Sequence, residues 1–248
     1  MKKTCLLVFL TISYRLAISQ SISTIIDSTK IETNVHRIPT EYKVSLFLFA
    51  AGYIASTENA YFTNKKVTSY REKTNKSFHI EFDDFLQHAS LAGLYSAKLL
   101  GAKTTNTFKH QTTLLLKAEL LMMAIVFPTK YLTKKTRPDN SASEAFPSGH
   151  TAQAFLSATF MSKELGQSNI LYSIGAYTSA TAVGVLRVLN NKHDATDVLV
   201  GAGIGILSTE IIYSLDKRKR QKNSKTSFSL LPIYSKDHIG LSLALQIK

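Results

Sequence analysis

Three short stretches hold the residues whose types and spacing do chemistry. "KYLTKKTRPDN" carries Lys130 and, further on, Arg137 followed by Pro138; "FPSGHTAQAF" carries Ser148, Gly149 and His150; "RVLNNKHDATD" carries Arg187, His193 and Asp197. A phosphoryl group spreads its charge over several oxygens and is held best by guanidinium forks and a point-charge ammonium, the groups that Arg137, Arg187 and Lys130 supply. Ser148 is a helix cap for a helix beginning near Gly149, whose amide end is a seat for an anion. Gly149 lets the backbone come close to that anion, and His150 in the first turn stands beside it as a proton donor. His193 and Asp197 are spaced i, i+4, which on a helix puts both on one face, so that the carboxylate holds one ring nitrogen and the other points outward. That is the orientation half of an activated nucleophile or base. Taken singly, each stretch has a plainer account: a turn between helices, a surface His–Asp contact, a solvated basic end. The chemistry requires a fold that brings all three together.

The elements that must do so read as helices. Apolar segments of helical length recur from Lys43 onward: "VSLFLFAAGYIAS", "FDDFLQHASLAGLYSAKLLG", "TTLLLKAELLMMAIVFPTKYL", "TAQAFLSATFMSKEL", "ILYSIGAYTSATAVGVLRVL" and "ATDVLVGAGIGILSTEIIYSL". With few strand-like alternations among them, they specify an all-α fold, a helix bundle of about six core helices. Asp84 reads as the N-cap of the second segment and Gly101 as its stop. "GAGIG" lacks the spacing and the preceding strand of a nucleotide loop, and reads as small residues on a tightly packed helix face. The tail alternates polar and apolar residues around "SKDH", the pattern of a short C-terminal β-hairpin.

Length and composition bound the rest. At 248 residues the chain suits one large domain. A net charge of +13 favours anionic company: nucleic acid, an anionic membrane surface or phosphorylated substrates. The single cysteine, Cys5, excludes an intramolecular disulfide and a thiolate metal cluster. "MKKTCLLVFLTISYRLAISQ" has the layout of a secretory signal peptide cleaved after Ser19. The expected organisation is therefore a signal peptide over 1–19, a polar lead-in over 20–42, the catalytic domain over 43–222 and a tail over 223–248. Val198 to Leu215, followed by "DKRKRQK", fits a membrane helix with a basic cytoplasmic end, and equally a buried bundle helix whose basic end complements its own dipole. No recognition motif or aromatic-interleaved basic patch supports nucleic-acid binding.

The order KxxxxxxRP, PSGH, RxxxxxHxxxD resembles the signature of the type 2 phosphatidic acid phosphatase (PAP2) superfamily, which also holds bacterial class A acid phosphatases and vanadium haloperoxidases. "LRVLNNKH" and "GAGIGILST" resemble its bacterial branch of membrane-associated phospholipid phosphatases. The resemblance covers 130–197 directly and is compatible with a helix-bundle core over about 84–215. It implies that His193 attacks phosphorus and becomes a phosphohistidine, that Asp197 orients it, and that His150 protonates the leaving oxygen. Lys130, Arg137, Ser148, Gly149 and Arg187 would bind the phosphate, and no metal or other cofactor is needed. The chain departs from the family pattern at Leu186, where a serine is usual, and in the short stretch between Pro138 and Pro147. The implied activity is hydrolysis of phosphate monoesters or pyrophosphates, of lipids above all, at a membrane surface on the periplasmic side of a bacterial envelope. The alternatives are a soluble periplasmic acid phosphatase of broad specificity, a vanadate-dependent haloperoxidase, and a phosphate-binding envelope protein without activity.

Overall fold

The computed structural model describes residues 39–57, 64–74, 78–235 and 238–247. The expected signal peptide and nearly all of the lead-in lie outside them. Eight helices occur among the described residues: α1 (Thr40–Ser56), α2 (Asn64–Thr74), α3 (Asp83–Leu86), α4 (Ala89–Leu99), α5 (Phe108–Thr133), α6 (Gly149–Leu165), α7 (Ile170–Leu189) and α8 (Ala195–Lys225). They are followed by β1 (Thr226–Ser235) and β2 (His238–Ile247), paired antiparallel from Thr226 opposite Ile247 to Ser235 opposite His238.

The all-α architecture is as expected, with three local differences. Helix α1 starts at Thr40, so the last residues of the expected lead-in are helical. The polar helix α2, "NKKVTSYREKT", has no apolar stripe to betray it in the sequence. The segment from Phe82 to Gly101 is two helices, and Asp84 is not a cap: the N-cap of α3 is Phe82, without a side-chain bond, and Asp84 lies inside the helix. Gly101 does end α4, at φ +92°, a left-handed conformation that costs glycine nothing.

Helix α6 is the centre of the bundle. A helix that is apolar or small all round belongs inside, and α6 buries Ala152, Ala154, Leu156, Ala158, Phe160 and Leu165. On one side it packs with Leu94, Leu114, Ala176, Ala180 and Val183 of α4, α5 and α7. On the other it meets Ala118, Met122, Val126 and Ile204 of α5 and α8. The glycines of "GAGIG" explain how closely α8 approaches: a methyl group at Gly201 would stand 2.5 Å from the Ser148 carbonyl oxygen, and one at Gly205 would collide with the Ala152 carbonyl. Close packing of α6, α7 and α8 sets the start of α6, the end of α7 and the start of α8 side by side.

Candidate phosphate site

The three motifs meet where those helix ends meet. Helix α5 stops at Lys134, whose left-handed backbone (φ 45°) caps it by an N–H bond to the Lys130 carbonyl at 3.0 Å. That leaves Lys130 in the last turn, where a cation complements the negative helix end, and its ammonium donates to the Glu144 carbonyl. The strap that follows folds back on itself through Arg137 N–H to Ala142 O at 2.8 Å and Ala145 N–H to Lys135 O at 2.8 Å. It is tied to the third motif by Asp139 N–H to Asn191 O at 3.1 Å and by a Lys192–Asp139 ion pair at 2.6 Å.

Ser148 caps α6 as expected: its hydroxyl oxygen accepts from Thr151 N–H at 3.4 Å and pairs with the Thr151 hydroxyl at 2.9 Å. The Ser148 hydroxyl is wholly buried in this cap, so what the turn offers an anion is the amide end of the helix at Gly149 and His150, which has no intrahelical acceptor. Ser148 N–H donates to the Asp197 carbonyl at 3.0 Å and thereby fastens the second motif to the third.

The third motif differs from the helical pair that its spacing suggests. His193 is in the loop between α7 and α8, and only Asp197 is helical, in the first turn of α8. Asp197 Oδ2 accepts from Asp194 N–H at 3.0 Å, the return bond of a capping box. The same oxygen lies 3.7 Å from His193 Nδ1, in contact but beyond hydrogen-bond distance. The chain reaches this geometry because the Arg187 carbonyl, at the end of α7, accepts both Lys192 N–H at 3.1 Å and His193 N–H at 3.3 Å. Arg187, His193 and Asp197 are all buried.

Burial pushes the His193 imidazole below its usual range, and the charges of Arg187 and Lys130 act the same way, while Asp197 opposes them. His150 is likewise held below its usual value by burial and by Arg187, against the pull of Asp84 and Asp83. Burial first, and then the cations an anion would need, thus bias both rings towards the neutral form. The Nε groups of Arg137 and Arg187 are buried without a hydrogen-bond partner, and such donors cost free energy until an acceptor reaches them. All eight residues picked out by type and spacing stand on this one set of helix ends or on the strap beside it.

Three residues were missed by sequence reasoning. Asp83, buried, binds Arg187 Nη1 at 2.7 Å. Asp84 binds His150 Nε2 at 2.7 Å. Lys135 bridges Asp194 at 2.8 Å and Asp197 at 2.7 Å. "EFDDF" and "TKKT" carry no periodicity that foretells these partners, and only the oddity of two adjacent carboxylates before an apolar run could have drawn attention to the first two.

A helix-end amide seat, three neighbouring cations and a buried histidine beside a carboxylate form an arrangement suited to holding a phosphoryl group. Residues 111–221 match the PAP2 superfamily. A lipid A 1-phosphatase of Porphyromonas gingivalis is 39% identical over 140 residues, which are 55% of this chain and 31% of that protein. The chain thus spans about a third of the length of this relative. Among solved structures, Aquifex aeolicus LpxE aligns with a TM-score of 0.44 and 24% identity over 59% of this chain and 93% of its own. A transmembrane PAP2-type phosphatidylglycerolphosphate phosphatase from Bacillus subtilis aligns with a TM-score of 0.43 and 21% identity over 70% of this chain and 96% of its own.

Proposed function

We propose that this chain is a phosphatase that hydrolyses phosphate monoesters or pyrophosphates of lipids through a phosphohistidine on His193, on the periplasmic side of the cell envelope. The observation that carries the reading is the burial of His193 next to Asp197 among Lys130, Arg137 and Arg187, two of which keep an unpartnered buried Nε. With Nδ1 turned to Asp197, Nε2 of the neutral ring is the nitrogen that attacks phosphorus. The ester P–O bond breaks as the N–P bond forms, and the leaving oxygen takes a proton from His150. Lys130, Arg137, Arg187 and the amide end of α6 stabilise the equatorial oxygens, the largest single term in such transfers. Water then attacks phosphorus, its proton passes to His150, and the N–P bond breaks to release phosphate and neutral His193.

A lipid substrate is supported by the apolar surroundings of the cradle. Phe82 and Phe85 flank Asp84, and Phe127, Tyr131 and Leu132 flank Lys130, all of them exposed. The name of the Porphyromonas relative points to the same substrate class. Two helices, Phe108–Thr133 and Ala195–Gln221, are long and apolar enough to cross a membrane. Asp197 is at the start of the second and the basic run from Lys217 is at its far end, about 30 Å away at 1.5 Å per residue. If the basic end faces the cytoplasm by the positive-inside pattern, the site faces out. The test is a phosphate-release screen of the purified protein with EDTA present, across phosphatidic acid, phosphatidylglycerophosphate, an isoprenoid pyrophosphate, lipid A and soluble esters. Release from lipid phosphates that disappears in His193→Ala is the expected result. Release confined to soluble esters, from a protein freed by osmotic shock, would replace the membrane reading with that of a soluble acid phosphatase.

A further inference from the structure

His193 has Asp197 beside it; His150 has a carboxylate too, from a part of the chain that none of the three motifs touches. Asp84 Oδ1 lies 2.7 Å from His150 Nε2. The segment that carries Asp84 is clamped to the end of α7. Asn190 accepts from Ile80 N–H at 3.0 Å, donates to the Ile80 carbonyl at 2.7 Å and reaches Asp83 Oδ1 at 3.3 Å. Asp83 in turn binds Arg187 Nη1 at 2.7 Å. With Asp83 committed to the buried side, Asp84, its neighbour on α3, is presented to His150. Arg187 Nη1 is 3.7 Å from Asp84 Oδ1, beyond hydrogen-bond distance, which leaves this oxygen to the imidazole.

We propose that Asp84 is a positioning residue for the reaction: its carboxylate faces Nε2 of His150, fixes the ring's orientation and favours its protonated form against burial and Arg187, so that the Nδ1–H is the proton handed to the leaving oxygen. The proposal rests on the reading of His150 as the leaving-group acid. The charged groups facing His150 are Arg187 from α7, Asp83 and Asp84 from α3, and Lys130 from α5, whose Cε passes close to Gly149. Arg187 works against a proton on His150, and the carboxylates favour it. Asp84 alone among them pairs directly with the ring, at 2.7 Å from Nε2. When the P–O bond breaks, its electron pair goes to the oxygen, which takes the Nδ1 proton; His150 is left neutral with Nε2–H still on Asp84. In the second step Nδ1 recovers a proton from the attacking water. Each histidine then has its own carboxylate, one serving attack and the other departure.

The test compares two leaving groups in the full-length protein. p-Nitrophenolate departs with little need of a proton, whereas an alkoxide from phosphatidic acid or an alkyl phosphate needs one. In Asp84→Asn, kcat/KM for the alkyl substrate should fall at least about tenfold more than for p-nitrophenyl phosphate, within the range that general acids contribute. The alkaline limb of the alkyl pH profile should move to lower pH, and Asp84→Glu should restore part of both. Equal losses on the two substrates, or an unmoved limb, would overturn the proposal. So would tighter inhibition by inorganic phosphate with kcat retained, which would make Asp84 a competitor for the anion seat. His150→Ala separates the two levels of the argument. If it also fails to discriminate between leaving groups, the reading of His150 is wrong; if it discriminates and Asp84→Asn does not, only the role of Asp84 is wrong.

Discussion

Gly201→Ala tests whether the close approach of α8 to α6 is what assembles the site. The added methyl would stand 2.5 Å from the Ser148 carbonyl oxygen, where ordinary contact begins at 3.4 Å, so one helix must recede by about 0.9 Å. The obstacle is backbone and cannot swing aside. Overpacking of this kind costs about 1–3 kcal/mol, and the better helix propensity of alanine returns about 1 kcal/mol. Net destabilisation is then about 0–2 kcal/mol, a fall in Tm of up to roughly 8 °C for a chain of this size. Activity should suffer far more. The Ser148 N–H bond to the Asp197 carbonyl crosses the same interface, so recession pulls Asp197 and the His193 loop away from the amide seat, and a shift near 1 Å costs about 10²-fold in rate. The assay is kcat/KM on p-nitrophenyl phosphate beside thermal unfolding, with Gly175→Ala as the control. Nothing lies within 4 Å of a methyl group at Gly175, on α7, so that variant should gain about 0.5–1 kcal/mol and keep its rate. Wild-type kcat/KM in Gly201→Ala would refute the reasoning.

Arg187→Met leaves Asp83 buried and uncompensated, and should cost about 3–5 kcal/mol in denaturant unfolding, a loss that adding Asp83→Asn recovers in part. His193 must be neutral to attack, and its pKa is lowered, so the acid limb of kcat/KM for p-nitrophenyl phosphate should lie below the ordinary imidazole value of about 6.5. By linkage, unfolded His150 and His193 take up protons near pH 6.5 that the folded rings still refuse. Stability should therefore fall as pH drops through and below that value, seen as a declining Tm between about pH 7 and 5. Lys135→Met removes the ammonium that Asp194 and Asp197 share. The uncovered carboxylates should raise the His193 pKa, move the acid limb to higher pH and lower kcat, and Lys135→Arg should largely restore both.

What could be read from the sequence was whatever repeats locally. Six apolar segments announced every described helix but α2, though one of them holds two helices, and α7 was legible to the residue, because burial on a helix leaves a mark every few positions. The amide seat at "PSGH" was legible because a cap is a local device. His193 was misplaced on a helix because i, i+4 spacing is compatible with one, whereas the Arg187 carbonyl and the capping box of Asp194 and Asp197 hold it in a loop. The Asp83–Arg187 pair joins residues 104 positions apart, and the Lys135–Asp197 pair residues 62 apart. Pairings of that span are set by helix packing and leave no periodic trace. Helix α2 escaped for the opposite reason: its residues are so polar that no face declares itself.

The central claim is a phosphoryl group carried on His193. Rapid mixing with a labelled phosphate ester in EDTA, followed by quenching in alkali and peptide mass spectrometry, tests it directly, because phosphohistidine survives alkali and is lost in acid. The expected result is a phosphorylated peptide containing His193, absent from His193→Ala and accumulating in His150→Ala on p-nitrophenyl phosphate, where proton transfer in the second step is impaired. An acid-stable label, a label on any other residue, or undiminished phosphate release from His193→Ala would contradict it.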